Sequence, residues 1–201
     1  MGHVAGAKAD FVAVNASPGA TAYRLYLAAI GSLSLNDRDA YRQAATTACE
    51  RFKQSQDGEA LDCVTWTCVL VPDAVKNYVD LIALARRGLA QQPTDRSKLL
   101  NLGAALYRAG RFEESKQYLT SALEAPSSKP ASLAYVWYFL AMTNHQLGQP
   151  DEAQKWFAQA AEFTKRALAE SKTDPTMLPW NRRLTLELFD AEAKALLATM
   201  P

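Results

Sequence analysis

The feature that most constrains this chain is an internal repeat. The stretch LGAALYRAGRFEESKQYLTSAL, residues 102–123, recurs as LAMTNHQLGQPDEAQKWFAQAA at 140–161. At a constant offset of 38 residues, Leu102 pairs with Leu140, Gly103 with Ala141, Gly110 with Gly148, Ser115 with Ala153, Leu119 with Phe157 and Ala122 with Ala160. A fixed period of this size, carried by residues at three- and four-residue spacing, marks a helix–turn–helix unit that buries its apolar face against its neighbours. Gly103 lies inside the first helix of its unit, where glycine costs about 1 kcal/mol relative to alanine. A close approach of two helices accounts for that cost, and Ala141 at the equivalent position shows that smallness is the requirement.

The remaining sequence has the same helical character. Segments rich in Ala, Leu, Arg, Glu, Lys and Gln are separated by Pro, Gly and Asp/Asn clusters, with no period-2 run. Helices are predicted at about 21–34, 38–54, 58–70, 75–91, 96–109, 112–125, 131–147, 151–171 and 179–199. Asp37, Asp57 and Asp151 stand at helix starts, where a carboxylate meets free amides, and Gly110 and Gly148 stand just past helix ends. Residues 1–20 read as irregular and offer little to cover the first helix pair. The closing segment 178–201 places Leu184, Leu186, Leu188, Phe189, Ala193, Leu196 and Met200 on a broad apolar face, with Arg182, Arg183, Glu187, Asp190 and Lys194 opposite. That is the pattern of a helix capping the end of an array.

The repeat resembles the tetratricopeptide repeat (TPR), whose pattern is W-x2-L-G-x2-Y, then A-x3-F, then P. The second copy supplies Trp137, Leu140, Ala153, Phe157 and Ala160, the first supplies Leu99, Leu102, Gly103, Leu119 and Ala122, and Pro93 closes the preceding unit. The four residues beyond the standard period fit in the loop 125–132. Degenerate units are expected at 21–54, with Ala28 and Ala29 in place of Leu-Gly, and at 58–93, with a first helix stopped by Pro72; clear units are expected at 95–126 and 131–171. The expected fold is therefore all-α: a right-handed antiparallel helix-pair solenoid over 21–177, of about nine helices, with a carboxyl-terminal cap. Over 21–199 the chain also resembles the TPR segment at the carboxyl end of large bacterial Ser/Thr kinase or WD40 proteins. It contains no glycine-rich nucleotide loop, kinase motif or blade repeat.

Composition and motifs narrow the function. With 22 basic and 21 acidic residues the formal charge is +1 and both signs are scattered, so no nucleic-acid footprint appears. The longest apolar run, 133–142, is too short to cross a bilayer, and no secretory signal is legible. Three cysteines at irregular spacing do not form a disulfide framework, so the cytoplasm is the expected compartment. His145 is the sole histidine outside the amino-terminal tail and reads as a structural residue near a turn. Cys63 and Cys68 face about 140° apart on a helix and do not share a metal. No catalytic residue, metal or cofactor is expected.

The resemblance implies a concave groove lined by the first helix of each pair. Carried over position by position, the groove residues are Trp66 and Leu70, with Cys63; Leu100, Asn101, Ala104 and Tyr107, with Ser97 and Arg108; and Tyr135, Tyr138, Met142 and His145, with Gln146. Adjacent residues on a helix diverge by about 100°, so Tyr107 and Arg108 are not expected to be deep in it together. Asn101 matches one asparagine of the co-chaperone carboxylate clamp. Trp66, Leu70, Tyr135 and Phe139 occupy positions where that clamp needs cations and a second asparagine, which excludes the subclass. An aromatic and Met-bearing groove suits an apolar or helical peptide. The expected partner is a protein or peptide, with a homodimer through the uncapped amino-terminal end as a further possibility. A structural spacer or dimerisation appendage is the competing reading.

Overall fold

The computed structural model describes residues 2–126, 130–174 and 176–199. Among them every regular element is helical. The chain divides into two compact units, Met1–Gln92 and Pro93–Pro201.

The first unit holds α1 (Gly2–Ala16), α2 (Ala22–Ser34), α3 (Arg38–Phe52), α4 (Gly58–Val69) and α5 (Tyr78–Gln91). Four of these start on a side chain that accepts from free amides of the first turn: Thr21, Asp37, Asp57 and Asn77. Leu25, Ile30, Tyr41, Leu61, Leu70, Leu81 and Leu84 are fully buried, and the Tyr41 hydroxyl donates to the Thr67 carbonyl at 2.7 Å. That bond satisfies the polar tip of a ring that would otherwise be costly to bury.

The helix α1 corrects the reading of residues 1–20 as irregular. Its alanines favour a helix, and packing against α2 and α3 fixes it. Gly31 of α2 lies directly under the Phe11 ring, so close that a β-carbon there would overlap the ring. Arg51 of α3 donates from its guanidinium to the carbonyls of Asn15 (3.3 Å), Ser17 (2.8 Å) and Ala20 (3.4 Å), which ties down the carboxyl end of α1 and the turn after it. The α2 face that was expected to be bare is therefore covered by the chain's own first helix. The premise of a dimer through an uncapped amino-terminal end does not hold.

The second unit holds α6 (Arg96–Arg108), α7 (Phe112–Glu124), α8 (Pro130–Gln146), α9 (Pro150–Thr173) and α10 (Trp180–Leu197). Asp95 caps α6, and α9 starts with Pro150, whose missing N–H is no loss in a first turn. The expected loop 125–132 lies partly outside the described residues, as does Met200; α8 begins at Pro130.

Three helix pairs are joined by one and the same turn. Asn36, Gly110 and Gly148 have φ of 56°, 74° and 67°. In each case the following amide reaches back five residues: Asp37 N–H to Ser32 O, Arg111 N–H to Leu106 O and Gln149 N–H to Asn144 O, each at 2.9 Å. This is the left-handed helix stop that glycine and asparagine tolerate best. The shared turn places Ala28–Ala29, Leu102–Gly103 and Leu140–Ala141 in equivalent positions. The pair α4/α5 departs from it, with a longer connection through Asp73 at φ 58°.

Candidate protein-interaction site

The candidate site residues in the second unit sit on α6 and α8, which pack on each other and on α7. Gly103 allows the approach of α6 to α7: a β-carbon on it would lie 2.7 Å from Leu119 Cγ. Ser115 of α7 donates to the Gly103 carbonyl at 2.8 Å and lies 3.3 Å from the Thr143 hydroxyl of α8. Three helices are thus locked by one buried hydroxyl.

On this frame the expected groove residues are mostly enclosed. Leu100, Asn101, Ala104, Tyr107, Tyr135, Tyr138 and Met142 are buried, while His145 and Ser97 are half-buried and Gln146 is exposed. Tyr135 and Tyr138 are enclosed by α10. Its Phe189 is fully buried with ring centroids 5.0 Å from Phe139, 5.6 Å from Tyr135 and 6.4 Å from Tyr138. The contacts to Phe139 and Tyr135 are edge-on, the favoured aromatic arrangement.

Polar bonds fix the same helix. The Tyr138 hydroxyl lies 2.8 Å from the Thr164 hydroxyl of α9 and donates to Asp190 Oδ1 of α10 at 3.1 Å, and the Tyr135 hydroxyl donates to the Arg182 carbonyl at 3.4 Å. Asp190 was expected on the solvent side of α10, but the Tyr138 hydroxyl recruits it inward. Burial pushes the Tyr138 phenol well above its ordinary pKa.

Arg108 is the most informative residue of the site. Its guanidinium lies 5.4 Å from the Tyr107 ring centroid and 5.5 Å from that of Phe139, and it pairs through both terminal nitrogens with Glu192 of α10, Nη2 to Oε2 at 2.8 Å. The Arg108 side chain is 3% exposed and that of Glu192 19%. Tyr107 and Arg108 are therefore buried together, contrary to expectation, because the long arginine stem folds its planar head back over the neighbouring ring. Burial first, and the Glu192 charge second, push the Tyr107 phenol up to about 12.

Trp66 and Leu70 belong to α4 of the first unit, where Trp66 and Cys63 are half-buried and Leu70 is fully buried at the helix end. Phe189, Asp190, Glu192 and Thr164 complete the cluster around α8 and were not singled out as site residues. Arg108 and Glu192 are separated by 84 residues, a distance at which no local periodicity signals a contact. The one available hint was an arginine flanking an apolar helix face. Among the described residues no three His, Cys, Asp or Glu side chains converge as a metal site would require, and no helix is long and apolar enough to cross a membrane.

A tetratricopeptide repeat family model matches residues 94–166, which span α6, α7, α8 and most of α9. Over these residues the helix pairs are similar to tetratricopeptide repeats. No curated protein matches the chain.

Proposed function

We propose that this chain is a non-enzymatic scaffold that binds a protein or peptide partner, using the inner helices α6 and α8 of its second unit. The observation that carries the reading is the TPR match over 94–166, since such repeats generally mediate protein–protein interaction. On this reading a partner meets His145, Gln146 and Ser97 at the accessible margin of the inner face. Leu100, Asn101, Ala104, Tyr107, Tyr135, Tyr138 and Met142 form the floor, which opens as α10 yields. Trp66, half-buried on α4, is a separate candidate contact of the first unit, while Leu70 is buried at the cap of that helix. An amphipathic helix with an aromatic anchor fits this surface, because Phe189 of α10 already occupies it in that manner.

One observation favours the second reading, a structural spacer or appendage of a kinase or WD40 system with no ligand of its own: α10 fills the inner aromatic face. Affinity capture with the full chain separates the two. The scaffold reading requires a partner whose capture falls at least tenfold with His145→Ala or Trp66→Ala, and rises with Glu192→Ala, which frees α10. Helical circular dichroism confirms folding of each variant. A folded chain whose captured set is the same in all three variants supports the appendage.

A further inference from the structure

Two of the three cysteines meet across a helix pair of the first unit. Cys49 stands near the carboxyl end of α3 and Cys68 in the last turn of α4. The Cys68 thiol points at α3, with Sγ 3.5 Å from the Ala45 carbonyl, one helical turn before Cys49. Ala45 and Cys49 lie one turn apart on the same face of α3, so the Cys68 thiol stands beside the Cys49 side chain. Cys63, one and a half turns earlier on α4, shares in neither contact.

We propose that Cys49 and Cys68 are a thiol–disulfide exchange site that closes a reversible bond between α3 and α4. The two sulfurs are not equivalent. The Cys68 thiol beside it holds the Cys49 thiol below its ordinary pKa, and the Cys49 sulfur first, then burial, hold Cys68 well above its own. Cys49 keeps 6% exposure while Cys68 is fully enclosed. Cys49 is accordingly the sulfur that attacks first and Cys68 the one that resolves. Cys63 is half-buried, and burial beside the Asp62 charge pushes its thiol up to about 12, which leaves it mostly unreactive at neutral pH.

The chemistry balances with a low-molecular-weight disulfide as oxidant. The Cys49 thiolate attacks one sulfur of that disulfide and expels a small-molecule thiolate, leaving a mixed disulfide on Cys49. Cys68, losing its proton to the expelled thiolate, attacks the Cys49 sulfur and releases the second small-molecule thiol. The oxidant is reduced to two thiols and the protein loses two hydrogens. The bond then joins α3 to α4 across a short loop, which restricts the unfolded chain and stabilises the first unit.

The test uses the full chain with oxidised glutathione under native conditions, followed by alkylation in denaturant and mass spectrometry. The expected product carries one alkyl group where the reduced chain carries three, with a higher urea midpoint and full reversal by dithiothreitol. The bond should form equally in Cys63→Ser and be absent in Cys68→Ser, which should retain a glutathione adduct on Cys49. A chain that keeps three alkylatable cysteines, a bond that requires Cys63, or a wild-type glutathione adduct that never resolves would each overturn the proposal.

Discussion

At Gly103 a single missing methyl group sets the distance between two helices. Leu119 Cγ would lie 2.7 Å and the Leu119 amide nitrogen 3.4 Å from an added β-carbon. Gly103→Val should therefore cost about 1–3 kcal/mol through overpacking, read as a lowered thermal midpoint with helical content retained. Gly110 differs in kind: nothing lies within 4 Å of an added β-carbon, but its φ of 74° strains any L side chain. Gly110→Ala should cost about 1–2 kcal/mol from backbone strain alone. Tyr107 supplies a pH signature. Its phenol titrates at about 12 in the folded chain against an ordinary 10.0. Below pH 10 it is neutral in both states; above that the unfolded chain loses its proton first, so stability falls as pH rises from 10 toward 12. Tyr107→Phe should flatten that part of the alkaline unfolding profile, checked by urea midpoints across the range.

Among the elements, α1 is held by tertiary contacts more than by its own sequence. Gly31→Leu should drive a side chain into the space of the Phe11 ring and release α1, seen as faster amide exchange over residues 9–16 with α2 and α3 left folded. The same fact explains what was legible in the sequence. The helices α2 to α10 were readable to within about three residues because the sequence carries local signals for them: Asp37 and Asp57 as caps, Gly110 and Gly148 as stops, Asp151 in a first turn. The helix α1 carries an internal glycine, Gly6, and the evidence for it lies 20 residues away at Gly31. Asn36 shows a subtler limit. It makes the same left-handed turn as the two glycines, but asparagine announces it less loudly.

Over the whole molecule, the repeat residues were legible because they recur, and the identity of what covers them was not. The resemblance assigned Tyr107, Tyr135 and Tyr138 to the first helix of their pairs, and these residues belong to α6 and α8. That they meet Phe189, Asp190 and the Glu192 partner of Arg108 depends on how α10 returns to α8, a choice made by tertiary packing. Hydrogen exchange on Glu192→Ala tests the packing of α10 on α8 most directly. Removing one member of a largely buried ion pair costs about 3 kcal/mol, which corresponds to roughly hundredfold faster exchange where opening is local to the pair. The expected result is that acceleration in α10 and in the facing part of α8, with α2 and α3 of the first unit unchanged. Exchange in α10 as fast in the wild type as in the variant, or equal acceleration of α2 and α3, would contradict it.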